Sequence, residues 1–164
     1  MRNNPLILAM AFVLLLAVAM FNAQPIAAAP ATRTAPPPSK MVVDGIEIHL
    51  GLTAAEKLRG YPQNSVEARM HGGVPSGAGY YHVNVSLIDA AKQSPITGAR
   101  VEVEVEEPGI GTEHKVLEPM TINQVSSYGT YVRLAAGKPY WFKVRVRKLG
   151  YQSVTEAKFQ PWTD

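Results

Sequence analysis

Beyond residue 40 the chain alternates apolar and polar residues with a period of two, and that pattern admits little besides half-buried antiparallel strands. Val101, Val103 and Val105 are interleaved with Glu102, Glu104 and Glu106. Phe142, Val144 and Val146 are interleaved with Lys143, Arg145 and Arg147, and Tyr81, Val83, Val85 and Leu87 with His82, Asn84 and Ser86. Successive side chains on a strand point to opposite faces, so each run presents one apolar and one polar face. Further strands are expected over 42–50, 115–122, 130–134 and 152–159, with turn residues at 93–98, 108–111, 136–139 and Gly150 between them. About seven short strands at this spacing predict an all-β fold, an immunoglobulin-like antiparallel β-sandwich. In such a fold Tyr140, in Gly137-Lys138-Pro139-Tyr140 ahead of a strand, has the place of a corner tyrosine.

One short helix is expected to interrupt the strands. Thr53-Ala54-Ala55-Glu56 has the spacing of a capping box, which predicts a helix over 54–59 closed by Gly60 and stopped by Pro62. The glycine-rich stretch 72–79 lacks the Gly-Lys-Ser/Thr ending of a phosphate loop and the spacing of a nucleophile elbow, and reads as a flexible connection.

The N-terminus carries Arg2, an uncharged, mostly apolar run from Leu6 to Phe21, and then small residues and prolines. That order predicts a secretory leader over 1–28, with cleavage after Ala19, Ala23 or Ala28. The apolar run is shorter than the roughly 20 residues that cross a bilayer; an uncleaved anchor is the alternative. Residues 29–40, with Pro30, Pro36, Pro37 and Pro38, form an extended linker, and 41–164 the domain. The destination is the periplasm, with no stable membrane insertion once the leader is removed. The 164 residues include no cysteine, which excludes a lipid anchor, disulfides, thiolate metal sites and thiol nucleophiles. A net charge of +3 favours anionic envelope surfaces over nucleic acid.

No set of side chains with the makings of an active site is assembled along the chain, so the protein is not expected to be an enzyme. The acidic and basic strands form ion pairs if they lie side by side and two flanks of opposite charge if they do not; solvated outer faces are the default. Tyr80, Tyr81, Tyr128, Tyr131 and Trp141 suit the core, or else a small-ligand pocket. Metal binding is the better chemical question. His49, His71, His82 and His114, with Met41, Met70 and Met120, supply imidazole and thioether, a combination that suits copper, methionine favouring the reduced ion. No two of them stand at the spacing of a strong local site, and Met70 and His71 on an extended strand would face opposite ways.

Leu117-Glu118-Pro119-Met120, followed by Ser127-Tyr128-Gly129, resembles the periplasmic iron-transport accessory proteins, copper-binding immunoglobulin-like sandwiches found beside iron permeases. The family carries Met-Pro-Met and, at this spacing, His-Tyr-Gly. Pro119, Met120, Tyr128 and Gly129 match, while Glu118 stands for the first methionine and Ser127 for the histidine. The family's His-Leu-Glu-Ala-Asp is similar to Ser65-Val66-Glu67-Ala68-Arg69, where Glu67 and Ala68 match and Ser65 replaces a metal-binding histidine. The resemblance implies a metal site that keeps only Met120 and Glu67, because serine is a poor copper ligand. A relocated site would draw on His71 and on His82, which faces the polar side of its strand. The resemblance thus implies a non-catalytic accessory protein in copper or iron handling that works with an envelope partner such as a metal permease. The alternative is a structural or docking module that has lost the metal. Pairing of a free edge strand would make a homodimer.

Overall fold

The computed structural model describes residues 39–163. The leader, and the linker as far as residue 38, lie outside them. Among the described residues no helix is long and apolar enough to cross a membrane.

The strands are β1 (Ser39–Val43), β2 (Ile46–Ala54), β3 (Tyr80–Asp89), β4 (Ser94–Pro95), β5 (Arg100–Glu107), β6 (Gly111–Ile122), β7 (Val125–Arg133), β8 (Trp141–Arg147) and β9 (Thr155–Lys158). Their hydrogen-bonded order is β1-β2-β3-β7-β6-β5-β8-β9, all antiparallel, with β4 on the side of β3. Strand β6 belongs to both layers. As far as Leu117 it pairs with β5, and from Glu118 onward with β7. Pro119, which has no N–H to donate, falls where β6 has left β5 and one of its edges is open. The result is the expected all-β sandwich, a sheet nearly closed on itself.

The apolar positions of the alternating runs meet between the layers. Ile46, Ile48, Val83, Val85, Val101, Val103 and Val144 are fully buried there, with Phe142 and Val146 almost so. Tyr140 is the corner tyrosine: its hydroxyl accepts from the Ala135 N–H at 2.9 Å and donates to Glu107 Oε2 at 2.9 Å.

Several local expectations are corrected. The predicted strand 42–50 is a hairpin, β1 and β2, because Asp44 (φ 50°) and Gly45 (φ 74°) make a two-residue turn of the type that matches strand twist. Asn123 (φ 51°) and Gln124 (φ 67°) do the same between β6 and β7, so β7 begins at Val125 rather than 130. The capping box at Thr53 does not form. Strand β2 runs through Ala54 and pairs Thr53 with His82, leaving helix α1 (Ala55–Leu58) with no side-chain cap. Two further elements follow, helix α2 (Val66–Arg69) and a 3-10 turn (Met70–Gly72). The glycine-rich stretch is tied down: the Arg59 guanidinium donates to the Pro75 carbonyl at 3.0 and 2.8 Å, and also to that of Gly77.

The acidic and basic strands lie side by side. In register Glu102 faces Arg145 and Glu104 faces Lys143. Lys143 pairs with Glu104, Arg145 with Glu156 at 2.9 Å, and His114 stands 3.7 Å from Glu104. The hydrogen bond from Lys143 holds the Glu104 carboxyl below its usual range. On the opposite layer, the excursion of residues 55–79 covers the outer face of β3, β7 and β6. Ala55, Leu58 and Met70 from the excursion join Met120 and Tyr131 from the sheet in a second, smaller apolar cluster.

Candidate metal centre

Under that excursion two histidines face each other. His82 lies on β3, between Thr53 of β2 and Tyr131 of β7, on the face turned away from the main core. It is nevertheless only 4% exposed. His71 comes from above, at the middle of the 3-10 turn, where its backbone is left-handed (φ 55°, ψ 34°). For a residue with a side chain that conformation is costly by roughly 1–2 kcal/mol. It turns the chain back on itself, so Met70 enters the small cluster while the His71 imidazole reaches His82. The pair sits in a turn, not on a strand, so the alternation of strand faces does not apply to it.

The two Nε2 atoms are 3.1 Å apart; with centroids 5.2 Å apart and planes 22° from parallel, the rings meet nitrogen to nitrogen rather than face to face. The other His71 nitrogen, Nδ1, lies 3.0 Å from Glu118 Oε2. Burial, and after it the His71 charge, push the His82 pKa down to about 4, so this imidazole is neutral near pH 7. Gly129, on β7, makes room for the pair. A Cβ at 129 would stand 2.6 Å from His82 Nε2 and 2.8 Å from His71 Nε2, closer than any side chain allows. Tyr131 walls the site, its ring centroid 5.2 Å from that of His82 and 6.0 Å from that of His71. Its buried hydroxyl has no hydrogen-bond partner among the described residues, and burial raises its pKa. Asn84, the register partner of Gly129, likewise has a buried Oδ1 without a partner among them.

Of the four residues expected at a metal site, the structure brings His71 and His82 into contact and places Met120, 9% exposed, in the small cluster beside Tyr131. Glu67 is on α2 and makes no hydrogen bond or ion pair with a described residue. Ser65 has its own task, accepting from the Ala68 N–H at 3.2 Å as the α2 cap. His49 is engaged with Glu47 at 2.6 Å. Among the described residues no three His, Asp or Glu side chains converge on one point. Sequence reasoning missed Glu118, Gly129, Asn84 and Tyr131 as site residues; Glu118 and Gly129 entered only as a mismatch and a match to the motif.

The aromatic residues do not form one pocket. Tyr81 and Tyr128 belong to the main core and Tyr131 to the small cluster. A cavity of about 450 Å³ opens elsewhere, lined by Tyr81, Glu107, Arg133, Leu134 and Tyr140.

With the site described, the chain can be set beside known proteins. No family model and no curated protein matches it. Among solved structures the fold is shared with a DUF4426 family protein from Pseudomonas aeruginosa, at a TM-score of 0.58 and 16% identity over 77% of this chain and 94% of that one. It is shared also with FetP of uropathogenic Escherichia coli, at a TM-score of 0.51 and 11% identity over 79% and 96%. A copper-bound variant of FetP gives a TM-score of 0.53 at 10% identity over 79% and 94%. These likenesses show that the fold is one these proteins share, and one of them, the FetP variant, holds copper.

Proposed function

We propose that the protein is an exported, non-catalytic accessory protein in metal handling, with copper as its first cargo and iron as the second. The observation that carries the reading is the buried pair of imidazoles whose Nε2 atoms meet at 3.1 Å over Gly129. Two nitrogens each about 2.0 Å from one ion stand about 3.3 Å apart at a tetrahedral angle and about 4 Å apart when opposed. From 3.1 Å the pair would open by about 0.2 Å to hold an ion at a tetrahedral angle and by about 0.9 Å to hold one in line. His71 and His82 would be the principal donors, and Met120 lies in the adjoining cluster to add a thioether. The partnerless oxygens of Asn84 and Tyr131 fit a site that a metal ion or its water completes. Imidazole with thioether suits copper, and a variant of FetP, which shares the fold, has been seen with copper bound. Delivery across the periplasm to an envelope partner such as a metal permease would be the task.

Calorimetric titration of the purified protein with Cu(I), Cu(II) and Fe(II) tests the reading. At least one ion is expected to bind well below 0.1 mM and to lose that affinity in the His71→Ala/His82→Ala variant. Binding of all three weaker than about 0.1 mM, near −5.5 kcal/mol, would remove the metal. The second reading, a docking module, would then stand. What favours it is that only two imidazoles converge among the described residues and that they already satisfy each other.

A further inference from the structure

We infer that Glu118 is a positioning residue for the histidine pair: by accepting from His71 Nδ1 it sets the tautomer that turns a lone pair of His71 Nε2 toward His82. The argument is one of donors and acceptors. A carboxylate can only accept, so the 3.0 Å contact with Glu118 Oε2 places a hydrogen on His71 Nδ1. When His71 is neutral it carries that one hydrogen, and its Nε2 is then an acceptor. The 3.1 Å contact between the two Nε2 atoms must have a donor, and that donor is His82 Nε2–H. Buried His82 has no other hydrogen-bond partner among the described residues, so nothing else decides which of its nitrogens carries the hydrogen.

The reach of Glu118 follows from the topology. It is the first residue of β6 to pair with β7, directly opposite Gly129, and it shares the outer face with Met120. One residue earlier, β6 still pairs with β5 and Leu117 points into the main core. The switch between layers therefore delivers a carboxylate to the rim of the Gly129 gap. His71, whose side chain is 5% exposed, meets it there, while Glu118 itself is 66% exposed. An outer carboxylate that holds the far nitrogen of a ligating histidine is a recurrent device of metal sites. Here it also leaves the metal-free pair masked, because the hydrogen on His82 Nε2 occupies the lone pair that an ion would need. Loading requires that hydrogen to move to His82 Nδ1.

The tautomer part stands without metal, whereas its consequence for affinity rests on the metal reading. Long-range nitrogen–proton correlation spectra of the metal-free full-length protein test the first. At a pH alkaline enough to leave both rings neutral, wild type is expected to show His71 protonated at Nδ1 only and His82 at Nε2 only. Glu118→Leu is expected to mix or invert the His71 tautomer, and Glu118→Gln, whose side-chain oxygen still accepts, to restore it. A His71 protonated at Nε2 in wild type would overturn the inference, and so would an unchanged tautomer in Glu118→Leu. Copper titration adds the second readout, with a loss of about 10–100-fold for Glu118→Leu and a smaller one for Glu118→Gln. Should copper fail to bind wild type, the metal reading falls and the tautomer spectra alone decide on Glu118. Should copper bind both proteins equally, the positioning role falls and the site survives.

Discussion

The two outer faces of the sandwich are built from the same alternating pattern and end in opposite environments. On β5 and β8 the polar positions stay at the surface, where Glu102, Glu104, Lys143 and Arg145 form a cross-strand ladder of ion pairs. On β3 and β7 the 55–79 excursion covers His82 and Tyr131, which are buried although they face away from the main core. An exposed charge ladder is worth little to stability and can be altered freely. A covered face makes every polar atom depend on its partners.

Acid should break the two faces in different ranges. An unfolded histidine titrates near 6.5 and His82 in the metal-free protein near 4, so between these values the unfolded chain binds more protons. The stabilisation is complete above pH 6.5 and is lost as the pH falls toward 4, by about 3 kcal/mol in all. Glu104, whose folded value is lowered from 4.5, keeps its contribution down to about pH 4.5 and loses it as the pH falls further. Urea denaturation at a series of pH values should show the first loss, and its absence would mean that His82 is not buried as a neutral ring.

Gly129→Ala is the next largest perturbation. Its Cβ has no room beside the two Nε2 atoms, so one imidazole must leave, at a cost of about 1–3 kcal/mol. Denaturation should register that loss and copper titration the disappearance of the site; an unaffected affinity would show that the ion does not sit at the pair. The smallest effect is expected on the ladder. Glu104→Gln should shift the denaturation midpoint less than Gly129→Ala does, and the difference should vanish in concentrated salt.

How legible each face was follows from the range of the forces that shape it. Strands β5 and β8, with their inner valines, could be read residue by residue, because a period of two is a property of the extended backbone itself. The ends of β2 could not. Asp44-Gly45 is a strong local turn signal that was overlooked, whereas Thr53 carried a correct helix-start pattern that lost to pairing with His82. Local capping is worth about 1 kcal/mol and gives way to a strand with partners on its edge. His71 and His82 were both named as donors, yet their contact depends on a left-handed backbone at His71 that no periodicity announces.

The chain's own alternation determined an all-β sandwich and its inner face, since these follow from residue type and from neighbours two positions apart, while the pairing of the acidic with the basic strand came only from the tertiary structure. Only the tertiary structure decided that residues 11 and 47 positions distant from one another in sequence, His71 with His82 and His71 with Glu118, share hydrogen bonds. It decided too that a glycine at 129 leaves the space between them. Such convergence arises where an excursion folds onto a sheet, and the geometry of that contact is set by packing of the whole domain, to which no short stretch of sequence has access.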